Sequence, residues 1–155
     1  MSIKAKILVI DDDEIIRENL VTLLREEGYS VDEAENGEKA IAKSFENIYS
    51  VAIVDWRLPD IEGTALLGKL KETTPKMAKI MLTGFPSMGN AIAAVNENAD
   101  AFLIKPVDLN ILLEKVEELV KRRASEQTFN EKKMASFIET RAKELLEPKN
   151  KDKLP

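Results

Sequence analysis

The sequence predicts an α/β fold: a doubly wound, five-stranded parallel sheet with helices on both faces, plus a C-terminal helical extension. Three observations lead there. Short apolar runs alternate strictly with segments of helical periodicity, the order that builds a parallel sheet through right-handed crossovers. The run Val51-Ala52-Ile53-Val54 suits a strand buried on both faces, and it stops abruptly at one carboxylate, Asp55. A length of 155 residues supplies one domain with a real core and an appendage, too little for two full domains.

Lys6-Ile7-Leu8-Val9-Ile10 forms the first strand and ends at Asp11, Asp12, Asp13 and Glu14. From Glu14 to Glu27 the apolar residues Ile15, Ile16, Leu20, Leu23 and Leu24 return with helical spacing, and Gly28 is the C-terminal stop. Tyr29 to Glu35 alternates weakly, as at a sheet edge. Asn36-Gly37 turns the chain into a short helix that uses Ala40, Ile41 and Phe45. After the central strand, Leu58-Pro59-Asp60 and Gly63 break regular structure, and a helix over Thr64 to Glu72 carries Leu66, Leu67 and Leu70 before Thr73-Thr74-Pro75. Lys79 to Leu82 is the fourth strand, closing on Thr83-Gly84, and Ser87 to Asn98 is an alanine-rich helix. Ala101 to Ile104 is the fifth strand and ends at Lys105-Pro106. A helix capped by Asp108 is then expected to bury Leu109, Leu112, Leu113, Val116, Leu119 and Val120. Beyond Arg123 the polar stretch Ala124 to Thr128 either continues that helix or interrupts it. Thr128 to Glu131 fits a capping box for a sixth helix with Met134, Phe137, Ile138, Arg141 and Leu145 at helical spacing, stopped by Pro148 and followed by a frayed end, Lys149 to Pro155. The expected division is a domain over 1–123 and a linker with an amphipathic tail over 124–155, the tail folding back on its own domain in preference to pairing with a second copy or docking on a partner. The strand–helix repeat of about 25 residues also fits a solenoid, but the strand ends differ in chemistry from unit to unit.

Composition removes most catalytic chemistries. With no cysteine and no histidine there is no thiolate zinc site, cysteine nucleophile or serine–histidine–aspartate relay. Hard-metal binding through oxygen, carboxylate nucleophiles and lysine or threonine chemistry remain. A net charge of −5 offers no footprint for direct nucleic-acid binding. The N-terminus has no signal-peptide pattern and no apolar run spans a bilayer, so the reading is a soluble cytoplasmic protein without membrane insertion.

In a parallel sheet the carboxyl ends of the strands share one edge, where open α/β sheets bind ligands. The first polar residues there are Asp11 with Asp12, then Asp55, Thr83 and Lys105. Each alone is as easily a cap or a solvent-facing group; the combination is the signal. Crowded carboxylates repel by about 4 kcal/mol per pair at 4 Å and an effective dielectric of about 20, so a cation must join them. Oxygen-only ligands point to Mg²⁺ or Mn²⁺. Lys105 adds a fixed cation and Thr83 a hydroxyl, a set suited to a phosphoryl group carried on Asp55.

Ile10-Asp11-Asp12-Asp13, Val54-Asp55-Trp56-Arg57-Leu58-Pro59-Asp60-Ile61-Glu62-Gly63, Met81-Leu82-Thr83-Gly84 and Ile104-Lys105-Pro106 closely resemble the receiver domain of two-component response regulators, over about Lys6 to Arg123. The resemblance implies a flavodoxin-like sheet of the CheY type, with Asp55 accepting phosphate from a sensor histidine kinase or phosphotransfer protein. It implies magnesium held by Asp12, Asp55 and the Arg57 backbone carbonyl, with Asp11 acting through water. Lys105 then pairs with the acceptor or its phosphate, Thr83 bonds the phosphoryl oxygen, Phe102 stands at the switch aromatic or is plain core, and Lys105-Pro106 is cis. Gly84 follows Thr83 where many relatives have alanine. Arg57 and Phe85 flank the path of an attacking water, where bulk slows loss of the phosphate. Asp13 and Glu14 read first as acids at a helix N-terminus, Asp60 and Glu62 as acidic neighbours, Trp56 as a loop aromatic, and Lys121-Arg122-Arg123 as a solvated last turn. The expected partners are that kinase, an unidentified downstream effector, and a second copy on phosphorylation. Two other functions compete. A haloacid-dehalogenase-like phosphatase also uses an aspartyl phosphate with magnesium, but Ile15 stands where it has threonine or valine and the chain leaves little room for its cap. A phosphorylation-independent scaffold has no need of the acidic cluster.

Overall fold

The computed structural model describes residues 5–84 and 99–147; the predicted helix over 87–98, Phe85 and the tail from Pro148 lie outside them. Five strands form one parallel sheet: β1 (Lys6–Ile10), β2 (Ser30–Ala34), β3 (Val51–Asp55), β4 (Ala78–Thr83) and β5 (Ala101–Ile104), in the order β2-β1-β3-β4-β5. The weakly alternating β2 is an edge strand, as its half-polar pattern requires. The helices are α1 (Glu14–Glu26), α2 (Gly37–Glu46), α3 (Gly63–Leu67) and α4 (Leu109–Leu146). None is long and apolar enough to cross a membrane.

Alternate residues of the central strands feed two cores. Ile7, Val9, Ile53, Ile80 and Leu82 point to the face covered by α1 and α4. Leu8, Ile10, Ala52, Val54 and Met81 point to the face covered by α2 and α3. The near-continuous apolar runs follow from this, since both pleats of β1, β3 and β4 are covered. Gly28, at φ 93°, ends α1 in the left-handed conformation that favours glycine.

Tertiary contacts move several predicted boundaries. The core-facing residues of α1 are Arg17, Leu20, Val21 and Leu24, whereas Ile15 is 72% exposed. In α2, Ala40 and Ser44 are buried and Phe45 is exposed; the Ser44 hydroxyl bonds the Ile41 carbonyl and accepts from the Lys71 amide, which fixes the chain after α3. Helix α3 is five residues long, not nine, because the chain tightens into a turn after Gly68 while Leu70 still reaches the core. Leu109 of α4 is exposed although it is in phase with Leu112, Val116 and Leu119, because it occupies the first turn, ahead of the part of the stripe that the core covers.

The predicted sixth helix is instead the continuation of α4, which runs unbroken from Leu109 to Leu146. No glycine or proline lies between Pro106 and Pro148, and the Thr128 hydroxyl bonds the Ala124 carbonyl one turn back instead of capping a new start. The expected fold-back does not occur: Phe129, Met134, Phe137, Ile138 and Leu145 are all exposed.

Candidate functional site

Register brings the predicted residues together. Ile10 pairs with Val54, so Asp11 and Asp55 leave adjacent strands at one level. Asp55 pairs with Leu82 and Thr83 with Ile104, which sets Thr83 and Lys105 across the same edge. Asp11, Asp12, Asp55, Trp56, Arg57, Thr83, Gly84 and Lys105 line one cleft. Asp11 and Thr83 are buried, Asp55 is 7% exposed, and Asp12 is exposed.

Carboxylate oxygens of Asp11, Asp12 and Asp55 converge within 4.8 Å of one another. Lys105 Nζ lies 2.8 Å from Asp55 Oδ1 and 3.1 Å from Asp11 Oδ2, bridging the two buried acids. Burial pushes the Asp55 carboxyl up to about 6; Asp11 and Asp12 add to the rise, while the hydrogen bond and charge of Lys105 oppose it. Burial works to lower the Lys105 ammonium, but its bonds to Asp55 and Asp11 outweigh it and raise its pKa. One lysine therefore leaves the acids short of positive charge, and an all-oxygen donor set open to the cleft through Asp12 fits a hard divalent cation.

Each remaining predicted residue has a place. Asp13 is the N-cap of α1, accepting from the Ile16 amide at 3.0 Å, which accounts for it without metal binding. The Asp13 amide in turn donates to Asp11 Oδ1 at 2.9 Å. Arg57 is exposed on the cleft and its backbone pairs with that of Glu62 in an isolated antiparallel β-bridge, while Trp56 is half-buried, its amide donating to the Leu82 carbonyl at 2.7 Å. Phe102 is half-buried against the α2–α3 core. The Lys105-Pro106 bond is cis, and the Lys105 amide donates to the Thr83 carbonyl at 2.6 Å. A Cβ added at Gly84 meets nothing within 4 Å among the described residues, whereas one at Gly63 falls 2.4 Å from the Asp55 carbonyl oxygen, so only glycine lets this turn close beneath the acid.

Sequence reasoning missed one supporting residue, Arg17, and the role of another, Asp60, which it names only as an acidic neighbour. Arg17 is 8% exposed; Nη1 donates to the Asp11 carbonyl at 2.8 Å and Nε to Glu33 at 3.1 Å, so it holds the backbone that aims Asp11. Its signal was available, since Arg17 shares the i, i+3, i+4, i+7 face of Leu20, Val21 and Leu24. Asp60 accepts from the amides of Gly37 and Glu38, each at 2.9 Å, and ties the loop after β3 to the start of α2; these bonds hold its carboxyl below the usual range. No local pattern reports a cap supplied from 23 residues away. Asp60→Ala should lower the midpoint of urea unfolding, and an unchanged midpoint would show that the tie carries no stability.

Residues 7–117 match the response regulator receiver domain family. A cyclic di-GMP phosphodiesterase of Thermotoga maritima is 36% identical over 117 residues, which are 76% of this chain and 31% of that protein. The transcriptional regulatory protein ResD of Bacillus subtilis is 33% identical over 129 residues, 82% of this chain and 52% of its own length. A CheY-like response regulator receiver domain protein from Methanospirillum hungatei superposes with a TM-score of 0.74 at 39% identity, covering 78% of this chain and 97% of that one. The chain thus spans about a third to a half of these two curated relatives.

Proposed function

This chain belongs to the response regulator receiver domain family, a signalling domain of two-component systems, and from that membership we propose that Asp55 is its phosphoacceptor. The observation that carries the reading is the Lys105 bridge between Asp55 and Asp11 beside the open carboxylate of Asp12. A carboxylate oxygen of Asp55 attacks phosphorus, the bond to the donor histidine nitrogen breaks, and its electron pair returns to the imidazole, which takes up a proton. The product is an acyl phosphate. Lys105 moves its charge from the carboxylate to the phosphoryl oxygens, and the Thr83 hydroxyl donates to one of them. Asp11, Asp12, Asp55 and the Arg57 carbonyl would hold Mg²⁺, which when bound would neutralise the charge that the carboxylates and the phosphoryl group bring together. Arg57 screens the acyl phosphate from water, and Phe102 is the aromatic that follows Thr83.

The phosphodonor in this reading is a sensor histidine kinase or phosphotransfer protein, met in the cytoplasm, and the phosphorylated surface passes the signal to an effector. The domain's own chemistry is limited to taking up and losing phosphate. The domain ends near Arg123, and the rest of α4 is the tail. Whatever output activity accompanies it, as in the longer relatives, is a property outside residues 7–117. Incubation with a small acyl-phosphate donor should add one phosphoryl group by intact-mass measurement, only with Mg²⁺ and not in Asp55→Asn. No gain, with magnesium bound normally, would favour a phosphorylation-independent scaffold.

A further inference from the structure

Asp11 is held at each of its hydrogen-bonding groups. Its amide donates to the Ala34 carbonyl at 3.1 Å and its carbonyl accepts from Arg17 Nη1 at 2.8 Å. Its Oδ1 accepts from the Asp13 amide at 2.9 Å and its Oδ2 from Lys105 Nζ at 3.1 Å. Asp12 beside it is exposed, and no hydrogen bond or ion pair holds its side chain among the described residues. The cluster therefore joins a fixed acid to one that is free to adjust.

Arg17 suits the task of fixing Asp11 by its geometry and not by its charge. Its planar guanidinium makes both of its bonds from one rigid fork, Nη1 to the Asp11 carbonyl and Nε to Glu33 Oε1 at 3.1 Å, and the residue is 8% exposed. An unpaired guanidinium at Asp11 would compete with a metal for the acids, and Glu33 offsets that charge. Glu33 is itself placed by its backbone, whose carbonyl accepts from Lys43 Nζ. The pair thus stiffens one acid and leaves the net charge of the site as it was. Stiffness is what separates two hard ions of equal charge. Magnesium demands near-octahedral oxygens at about 2.1 Å, whereas calcium accepts about six to eight oxygens at about 2.4 Å in adaptable geometry. On the reading of Asp11, Asp12 and Asp55 as a metal site, we propose that Arg17, oriented by Glu33, is the positioning residue that makes the site select magnesium over calcium.

Selectivity is read as a ratio of two dissociation constants. A substitution that changes the electrostatic field weighs equally on two divalent ions, so field effects cancel from the ratio and loss of geometry remains. The whole chain, unphosphorylated, is titrated with Mg²⁺ and with Ca²⁺ by calorimetry and by the fluorescence of Trp56, its single tryptophan, which lines the cleft. The wild type should bind magnesium more tightly. Arg17→Lys keeps the charge and loses the fork, and should cut the preference about tenfold, chiefly by weakening magnesium, as removal of an outer-sphere partner does. Glu33→Ala alters a side chain that is 40% exposed and leaves the core intact; it should lower the preference in the same direction. Combined with Arg17→Lys it should add nothing to the ratio, since Glu33 acts through Arg17. Urea midpoints of the metal-free variants check that each is folded. A preference unchanged in both variants, or a wild type that binds the two ions equally, would overturn the proposal while phosphoryl uptake on Asp55 stood. A wild type that binds neither ion and takes up no phosphoryl group would bring down the reading of the site together with it.

Discussion

Lys105→Met should destabilise the metal-free protein by about 3 kcal/mol at pH 7. The substitution keeps most of the apolar stem and removes the ammonium that lies 2.8 Å from Asp55 and 3.1 Å from Asp11. The side chains left behind are 9% and 1% exposed, so water cannot replace the lost cation. Breaking a buried ion pair from one side costs about 3–5 kcal/mol, and the lower end applies because Lys105 is itself 20% exposed. Two conditions should return part of the loss. Millimolar Mg²⁺ supplies a second cation to the same acids, and acid protonates Asp55. Urea unfolding at pH 7 and pH 5, with and without Mg²⁺, measures all of this. A variant as stable as the wild type under every condition would mean that Lys105 serves the phosphoryl group alone.

Asp55→Asn should do the opposite, stabilising the metal-free protein by about 1–2 kcal/mol at pH 7 and flattening its pH profile. The wild-type carboxyl titrates near 6 in the folded chain, because of its burial and its acidic neighbours, and near its ordinary value of 3.8 when unfolded. Below about pH 3.8 both states hold the proton, and above about 6 neither does. Between these values the folded state alone binds it, so the unfolding free energy falls as pH rises through the window. Two pKa units correspond to about 2.7 kcal/mol, and partial solvent access to the cleft reduces the measured effect below that ceiling. Asparagine has no such proton. Added Mg²⁺ should raise the midpoint of the wild type more than that of the variant, erasing the difference between them. Parallel pH profiles for the two proteins would sink this account of the site.

The order of elements was legible because it rests on local chemistry. Apolar runs that stop at Asp11, Asp55, Thr83 and Lys105 announce strands buried on both faces, and strict alternation with helices makes the sheet parallel, which forces those four side chains to one edge. The N-caps Asp13 and Asp108 and the stop at Gly28 follow from their own backbone groups. The amino acids by themselves therefore determined the fold class and the edge that gathers Asp11, Asp12, Asp55 and Lys105.

Tertiary structure decided what depends on distant partners. That Arg17 is the rear support of Asp11 shows in the sequence only as a place on the buried face of α1, and that Asp60 caps α2 is a contact across 23 residues, which no short window contains. That α3 stops early while Leu70 stays buried depends on Ser44 seizing the Lys71 amide. The tail was undecidable locally, because Thr128 to Glu131 satisfies a capping box and a helix interior equally well, and only the unbroken hydrogen-bond ladder of α4 selects between them. The pKa of Asp55 belongs to the same class: it is set by how far water is removed from a carboxylate and how closely three others' charges approach it, from Asp11, Asp12 and Lys105, distances that exist only once β1, β3 and β5 stand in register.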